Sequence, residues 1–264
     1  MTQHNIKIKV LRTMDELKQM QQVEKAVWQM DPIPLHHTFT SMQNGGILLG
    51  AFDAAEMIGF LYSFPGVDRG KTHLCSHMLG ILPDYQKDGI GAEMKLRQAA
   101  LAQEAGFSMI TWTFDPLESR NAYLNLHKLG ATGAVYHENY YGQMDDQLNQ
   151  GLPTDRIQIK WDLQKTKSTQ TYDLDRGRIL LDADALGTPV LNTFLGQMDF
   201  ERSKTFFAAV PKNFQSIKQN QFELAKQWRM KTRDVFRHLF NEGFTASDLL
   251  RREADAISYY VFTK

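Results

Sequence analysis

The chain has 264 residues, 42% of them apolar and 23% charged, enough to bury the core of one large α/β domain or two smaller ones. Lysine plus arginine balances aspartate plus glutamate at 30 each, so no net field draws the chain to nucleic acid. The single cysteine, Cys75, excludes an intramolecular disulfide and a cysteine–zinc cluster.

The N-terminus, Met1-Thr2-Gln3-His4-Asn5, lacks the apolar stretch of a signal peptide, and no apolar run approaches the ~20 residues of a membrane span. A cytoplasmic protein with no membrane or nucleic-acid partner is expected. Residues 6–11 alternate as a first strand. Thr13 followed by Glu16 is a capping-box signature and predicts a helix from Met14 to about Trp28, stopped by Asp31-Pro32-Ile33-Pro34. Gly45-Gly46 opens an apolar run over 47–52, and 57–64 follows a polar turn as the second arm of a hairpin. A Gly-containing connection at 67–71 leads to a buried strand over 74–82, ended by Pro83. A Gly-rich turn then feeds a helix over 89–105, with Gly106 at its C-cap. A strand over 107–114, a short helix over 119–129 closed by Gly130, and strands over 134–141 and 156–163 complete this part. Polar residues 165–170 mark a boundary, giving domains 1–164 and 165–264. Beyond it the pattern predicts short strands, one long helix over 215–242 and a terminal strand through Ser258-Tyr259-Tyr260-Val261-Phe262.

The sharpest local signal is Ile81-Leu82-Pro83-Asp84-Tyr85-Gln86-Lys87-Asp88-Gly89-Ile90-Gly91-Ala92, between a predicted buried strand and a predicted helix. Glycines at 89 and 91 permit a sharp turn that presents backbone N–H groups at a helix N-terminus, where an anion is favoured. A pyrophosphate suits the donors from Lys87 to Ala92, with the Lys87 ammonium at the mouth. A plain glycine turn that only starts a helix is the alternative. No Gly-Lys-Ser/Thr follows, which excludes a P-loop, and the third glycine of a Rossmann fingerprint is missing.

The string Gln86-x-x-Gly89-x-Gly91 after Leu79-Gly80-Ile81-Leu82-Pro83-Asp84-Tyr85 resembles the coenzyme A signature of the GNAT superfamily of N-acyltransferases. Ser119-Arg120-Asn121-Ala122-Tyr123-Leu124-Asn125-Leu126-His127-Lys128-Leu129-Gly130-Ala131 resembles a later family motif, and the order of elements over 6–163 agrees. The resemblance implies an α/β (α+β) fold: a mixed sheet flanked by helices, with the strand ending at Leu82 splayed from its neighbour. It implies that the turn, with Gln86, Lys87, Asp88, Gly89, Ile90, Gly91 and Ala92, holds the pyrophosphate of acetyl-coenzyme A or another acyl-coenzyme A. Backbone groups of Leu79, Ile81 and Pro83 would hold the pantetheine arm and thioester, Pro83 through its carbonyl alone, and Asn121 would take the family asparagine's place. The sequence departs from the family where a tyrosine commonly protonates the leaving thiolate. Leu126 stands there, and Tyr123 and His127 lie on other sides of that helix. Tyr123 is the substitute candidate.

An ammonium must lose a proton before attacking a thioester, so a general base is wanted. His77 is the candidate; a hydrogen-bonded core histidine is the alternative. Strand alternation puts His73, Cys75, His77 and Leu79 on one face; direct transfer needs no covalent intermediate, which argues against a Cys–His nucleophile. His36-His37 has no nearby carboxylate at ligand spacing, and no metal site is expected. Asp182 and Asp184 read as turn or helix-entry residues. Trp28, Phe39, Tyr140 and Tyr141 read either as core or as the walls of an acceptor pocket.

Residues 206–244 echo 78–107: Phe206-Phe207-Ala208-Ala209-Val210-Pro211-Lys212-Asn213-Phe214-Gln215 parallels the strand and entry loop, without the glycine pair. A degenerate half of a GNAT-like fold and a chance recurrence are both open. On the long helix, Phe222, Leu224, Ala225, Trp228, Met230, Val235, Phe236, Leu239 and Phe240 read as a core stripe. Arg229, Arg233 and Arg237, at i, i+4 and i+8, form one basic ridge: a solvated face, or a site for an acidic acceptor or the coenzyme 3′-phosphate. The whole resembles predicted acetyltransferases of the superfamily with an extra C-terminal region. The function expected is acetyl or succinyl transfer from coenzyme A to a small-molecule amine such as an amino acid. The alternatives are a coenzyme A-binding protein without transferase activity and a tandem-GNAT aminoacyl transferase.

Overall fold

The computed structural model describes residues 5–86, 89–144, 151–192, 200, 203–252 and 254–264. The chain divides into two compact units, Met1–Trp112 with Trp161–Thr166, and Thr113–Lys160 with Lys167–Lys264. The change therefore falls after Trp112, with a brief return, and not at 164/165. Residues 164–171 are exposed, as their polar composition suggests, but it is packing that defines a unit.

In the first unit, β1 (Ile6–Val10) leads into α1 (Met14–Trp28), where Thr13 accepts from the Glu16 N–H and the Glu16 carboxylate accepts from the Thr13 N–H. Leu17, Met20 and Val23 recur at helical spacing and are buried. With Leu11 they form a core against Leu48 and Phe52 of β2 (Leu48–Asp53) and Met57, Phe60 and Tyr62 of β3 (Glu56–Asp68). Each such side chain contributes about 1.5–3 kcal/mol by leaving water. Between α1 and β2 lies α2 (Leu35–Gln43), which the sequence pattern did not announce because only its Thr38 is fully buried. β4 (Lys71–Ile81) and a 3-10 turn (Pro83–Tyr85) precede α3 (Ile90–Glu104) and the first part of β5 (Met109–Phe114). Neighbouring strands run β1-β2-β3-β4-β5, antiparallel up to β4 and parallel between β4 and β5.

The second unit begins with the end of β5. Then follow α4 (Ser119–Ala122), continuing as π-helical turns over Tyr123–Lys128, and the hairpin of β6 (Thr132–His137) and β7 (Arg156–Asp162). β8 (Ile179–Ala183), β9 (Pro189–Leu191), β10 (Thr205–Pro211), α5 (Phe214–Asn220), α6 (Phe222–Asn241), β11 (Thr245–Leu250) and β12 (Ile257–Thr263) complete it. The single helix expected over 215–242 is two, broken at Gln221, whose φ of −145° and ψ of 66° leave the helical region. Neighbours run β7-β6-β11-β12-β10-β8-β9, with β10 and β8 parallel.

The echo of 78–107 in 206–244 takes another register. The parallel neighbour of β4 is β5, which follows it in the chain; that of β10 is β8, which precedes it. From β10 the chain passes through helices to the hairpin β11–β12, whose last strand lies against β10. This is the order of β5, α4, β6 and β7, with β7 beside β5. Topologically β10 matches β5, not β4.

The core stripe of α6 is Ala225, Trp228, Arg229, Thr232, Val235, Phe236 and Leu239. Phe222 and Met230 fall outside it, at 43% and 39% exposure. The basic ridge is not a solvated face. Arg229 is buried and paired with Asp115. Arg233 grips Asp155 through Nε at 2.9 Å and Nη2 at 2.6 Å, and Arg237 reaches Glu138 at 3.4 Å. Burial pushes the Asp155 carboxyl up, but Arg233, the Tyr136 hydroxyl and the Asn139 N–H together bring it below the ordinary value.

Candidate active site

β4 pairs with β3 along its length but with β5 only at Leu74–Ile110 and Cys75–Thr111. Among the described residues, β4 has no paired position toward β5 after Cys75. The two strands part there, as expected of a strand that splays, and the β4 backbone over 76–81 has one edge not paired with β5.

The same stretch carries a β-bulge. Ser76 pairs with Ser63 and Met78 with Tyr62, so His77 is an extra residue opposite none. A bulge redirects a side chain and interrupts alternation. The expected common face of His77 and Leu79 fails for that reason. Met78, not Leu79, packs with the Tyr62 side of the strand.

The His77 ring lies 5.8 Å, centroid to centroid, from both Tyr62 and Phe64. Tyr62 Oη is 2.8 Å from Ser41 Oγ and 3.4 Å from His37 Nδ1, both on α2. His77 itself is exposed, with the two aromatic rings beside it. Lost hydration, and His37 nearby, hold its pKa below 6.5. His77 is therefore mostly neutral at neutral pH and able to accept a proton. Burial pushes the Cys75 thiol up, which disfavours a thiolate nucleophile. Glu24 of α1 is fully buried, and its charge acts on Tyr62. Its Oε1 accepts from the Ile33 N–H at 3.0 Å, and burial raises its pKa.

At the end of β4 the Leu82 N–H donates to the Ile58 carbonyl, and Pro83 opens the 3-10 turn. Gln86 Nε2 donates to the Ile81 carbonyl at 3.1 Å, so Gln86 braces the loop. The carbonyl expected to serve the pantetheine arm at Ile81 thus already has a donor. Lys87 and Asp88 lie outside the described residues. Gly89 is the N-cap of α3, at φ 76°, where no side chain caps the helix. An added Cβ at Gly89 would meet no atom within 4 Å; the left-handed backbone, not space, is what asks for glycine. Ile90, Gly91 and Ala92 form the first helical turn, whose N–H groups and dipole favour an anion.

In the second unit, Tyr123 stacks on His127 at 4.5 Å and 16°, and His127 Nδ1 meets Asp248 Oδ1 at 3.0 Å. Asn121 is exposed and Leu126 is 2% exposed in the core. Trp28 and Phe39 pack against the first unit's core, whereas Tyr140 and Tyr141 are exposed. Asp182 accepts from the Tyr259 hydroxyl, and Asp184 closes the turn to Thr188. Among the described residues no group of His, Cys, Asp or Glu could hold a metal ion, and no helix is long and apolar enough to cross a membrane.

Strand, bulge and helix N-terminus belong to one mixed α/β unit. Residues 13–131 match the acetyltransferase (GNAT) family, and the chain carries an acetyltransferase domain of that family, an enzyme fold whose co-substrate is an acyl-coenzyme A. Among solved structures the chain is similar to the ribosomal-protein-S18-alanine N-acetyltransferase from Escherichia coli, at 16% identity and a TM-score of 0.50, over 63% of this chain and 99% of that one. It is also similar to a Salmonella typhimurium protein described as an acetyltransferase and solved with its cofactor acetyl-CoA. There the identity is 13% and the TM-score 0.51, over 64% of this chain and 99% of that one. No curated protein matches the chain.

Proposed function

We propose that this protein transfers an acetyl, or a succinyl, group from coenzyme A to a small-molecule amine such as an amino acid, in the cytoplasm and by direct attack. The observation that carries this reading is the meeting of three features on β4: its parting from β5, its bulge at His77, and the α3 N-terminus that follows. Acyl-coenzyme A supplies the thioester. The first-turn amides of α3 suit its pyrophosphate, with Gln86 shaping the loop, and Lys87 and Asp88 are assigned to the same ligand from the sequence motif. The backbone of Leu79 and Pro83 is assigned to its arm, with Ile81 offering only the second lone pair of a carbonyl that already accepts from Gln86, and Asn121 is assigned to the same co-substrate. The acceptor nitrogen attacks the thioester carbonyl, His77 takes the proton the nitrogen sheds, the C–N bond forms and the C–S bond breaks. Tyr123 is the candidate donor to the departing thiolate.

Incubating the protein with acetyl-coenzyme A and a panel of amines, while following free thiol, tests this. Thiol release that depends on one class of small amine is expected. Coenzyme A binding with no turnover on any amine would favour the second reading, a coenzyme A-binding protein. The buried Leu126 in the family's tyrosine position supports that reading.

A further inference from the structure

Lys95 has no part in the transfer just described, yet it is one of the costliest side chains to place where it is. It lies on the buried face of α3 at 3% exposure. Its ammonium sits 3.7 Å from the centre of the Trp112 ring, and no carboxylate lies within ion-pair distance among the described residues. Burial drives its pKa down to about 7. An apolar side chain would fill this place without that penalty. What the amine does is donate to Ser76 Oγ at 2.7 Å. Gln98, on the next residues of the same helix face and fully buried, donates to the same oxygen at 3.0 Å. Ser76 immediately precedes the bulged His77. The ladder to β3 is broken between Ser76 and Met78, and the pairing to β5 ends at Cys75. Backbone hydrogen bonds therefore support this point of β4 least on both sides, and two buried donors converge there on one side chain.

We infer that Lys95 and Gln98 clamp Ser76 to α3 and thereby set the bulge that aims His77; they are positioning residues, and the inference rests on His77 being the base. Lys95→Met keeps the length of the side chain and removes the donor. The test is the ring-nitrogen NMR titration of His77 in parent and variant, together with steady-state kinetics. In folded Lys95→Met, the His77 midpoint is expected to move by about 0.5 unit or more toward the ordinary histidine value. The kcat is expected to fall about tenfold while the KM for acetyl-coenzyme A stays within about twofold. A folded variant with an unmoved His77 titration and unchanged kcat would overturn the clamp. If Lys95→Met does not fold, Ser76→Ala decides on the same readings. The two claims fail separately: a His77→Ala protein of undiminished activity removes the base, whereas the NMR titration still reports whether the clamp holds the bulge.

Discussion

At the scale of single residues, His77 shows how far a sequence can be read. Its residue type and its place before the glycine turn were legible. The reason for its orientation was not, because alternation counts every residue and a bulge adds one that has no partner. The arginines of α6 show the converse. Their spacing was plain, but Asp115 lies 114 residues before Arg229 and Asp155 lies 78 before Arg233 in the chain, so a paired network looked like a free ridge. Two predictions belong to this scale. Because a neutral His77 is the form that accepts the proton, kcat/KM should fall as pH drops through a midpoint below 6.5. In His77→Ala that limb should disappear and the rate fall about 100-fold or more; a pH–rate series on both proteins checks this. For Lys95, folding lowers the pKa from 10.5 to about 7, so between those values the unfolded chain binds the extra proton. Stability should then rise with pH from about 7 toward 10.5 and be lowest below 7. Urea unfolding of the parent and of Lys95→Met at several pH values should show that slope in the parent and its loss in the variant.

At the scale of elements, the helices with strong local signals were read to within a residue or two. α1 announced itself through Thr13 and Glu16, and α3 through Gly89 and Gly106. α2, with one fully buried residue, and the π-helical turns over Tyr123–Lys128 left no periodic trace. The split at Gln221 was hidden because helix-forming residues flank it on both sides. Thr13→Ala removes one side of the capping box of α1 and should cost about 1 kcal/mol of stability by thermal or urea unfolding. The buried pair that ties α6 to the chain after β5 is a larger test. Asp115→Asn leaves the Arg229 guanidinium buried beside a neutral amide, and unfolding should become easier by about 3 kcal/mol or more. A change under 1 kcal/mol would show that Arg229 gains its stability elsewhere.

At the scale of the whole molecule, the mixed sheet with its parting strands was legible because the GNAT-like motifs fix the order of elements around one turn. The division of the chain was not, since β5 and β7 each run across the boundary between the compact units and composition marks only the exposed segment near Lys167. We read the C-terminal region as a degenerate GNAT-like half in which β10, α5, α6, β11 and β12 repeat β5, α4, β6 and β7. That copy lacks the glycine pair, so one coenzyme A per chain is expected. The central claim is that the turn leading into α3 holds the coenzyme A pyrophosphate. Calorimetric titration of coenzyme A into the parent and into Gly91→Glu, with circular dichroism to confirm folding, tests it most directly. Loss of two charge-assisted hydrogen bonds corresponds to about 3 kcal/mol, roughly a hundredfold in affinity. One site per chain in the parent, weakened to that extent in a folded Gly91→Glu protein, is the result the account predicts; a folded Gly91→Glu protein that binds coenzyme A as tightly as the parent would contradict it.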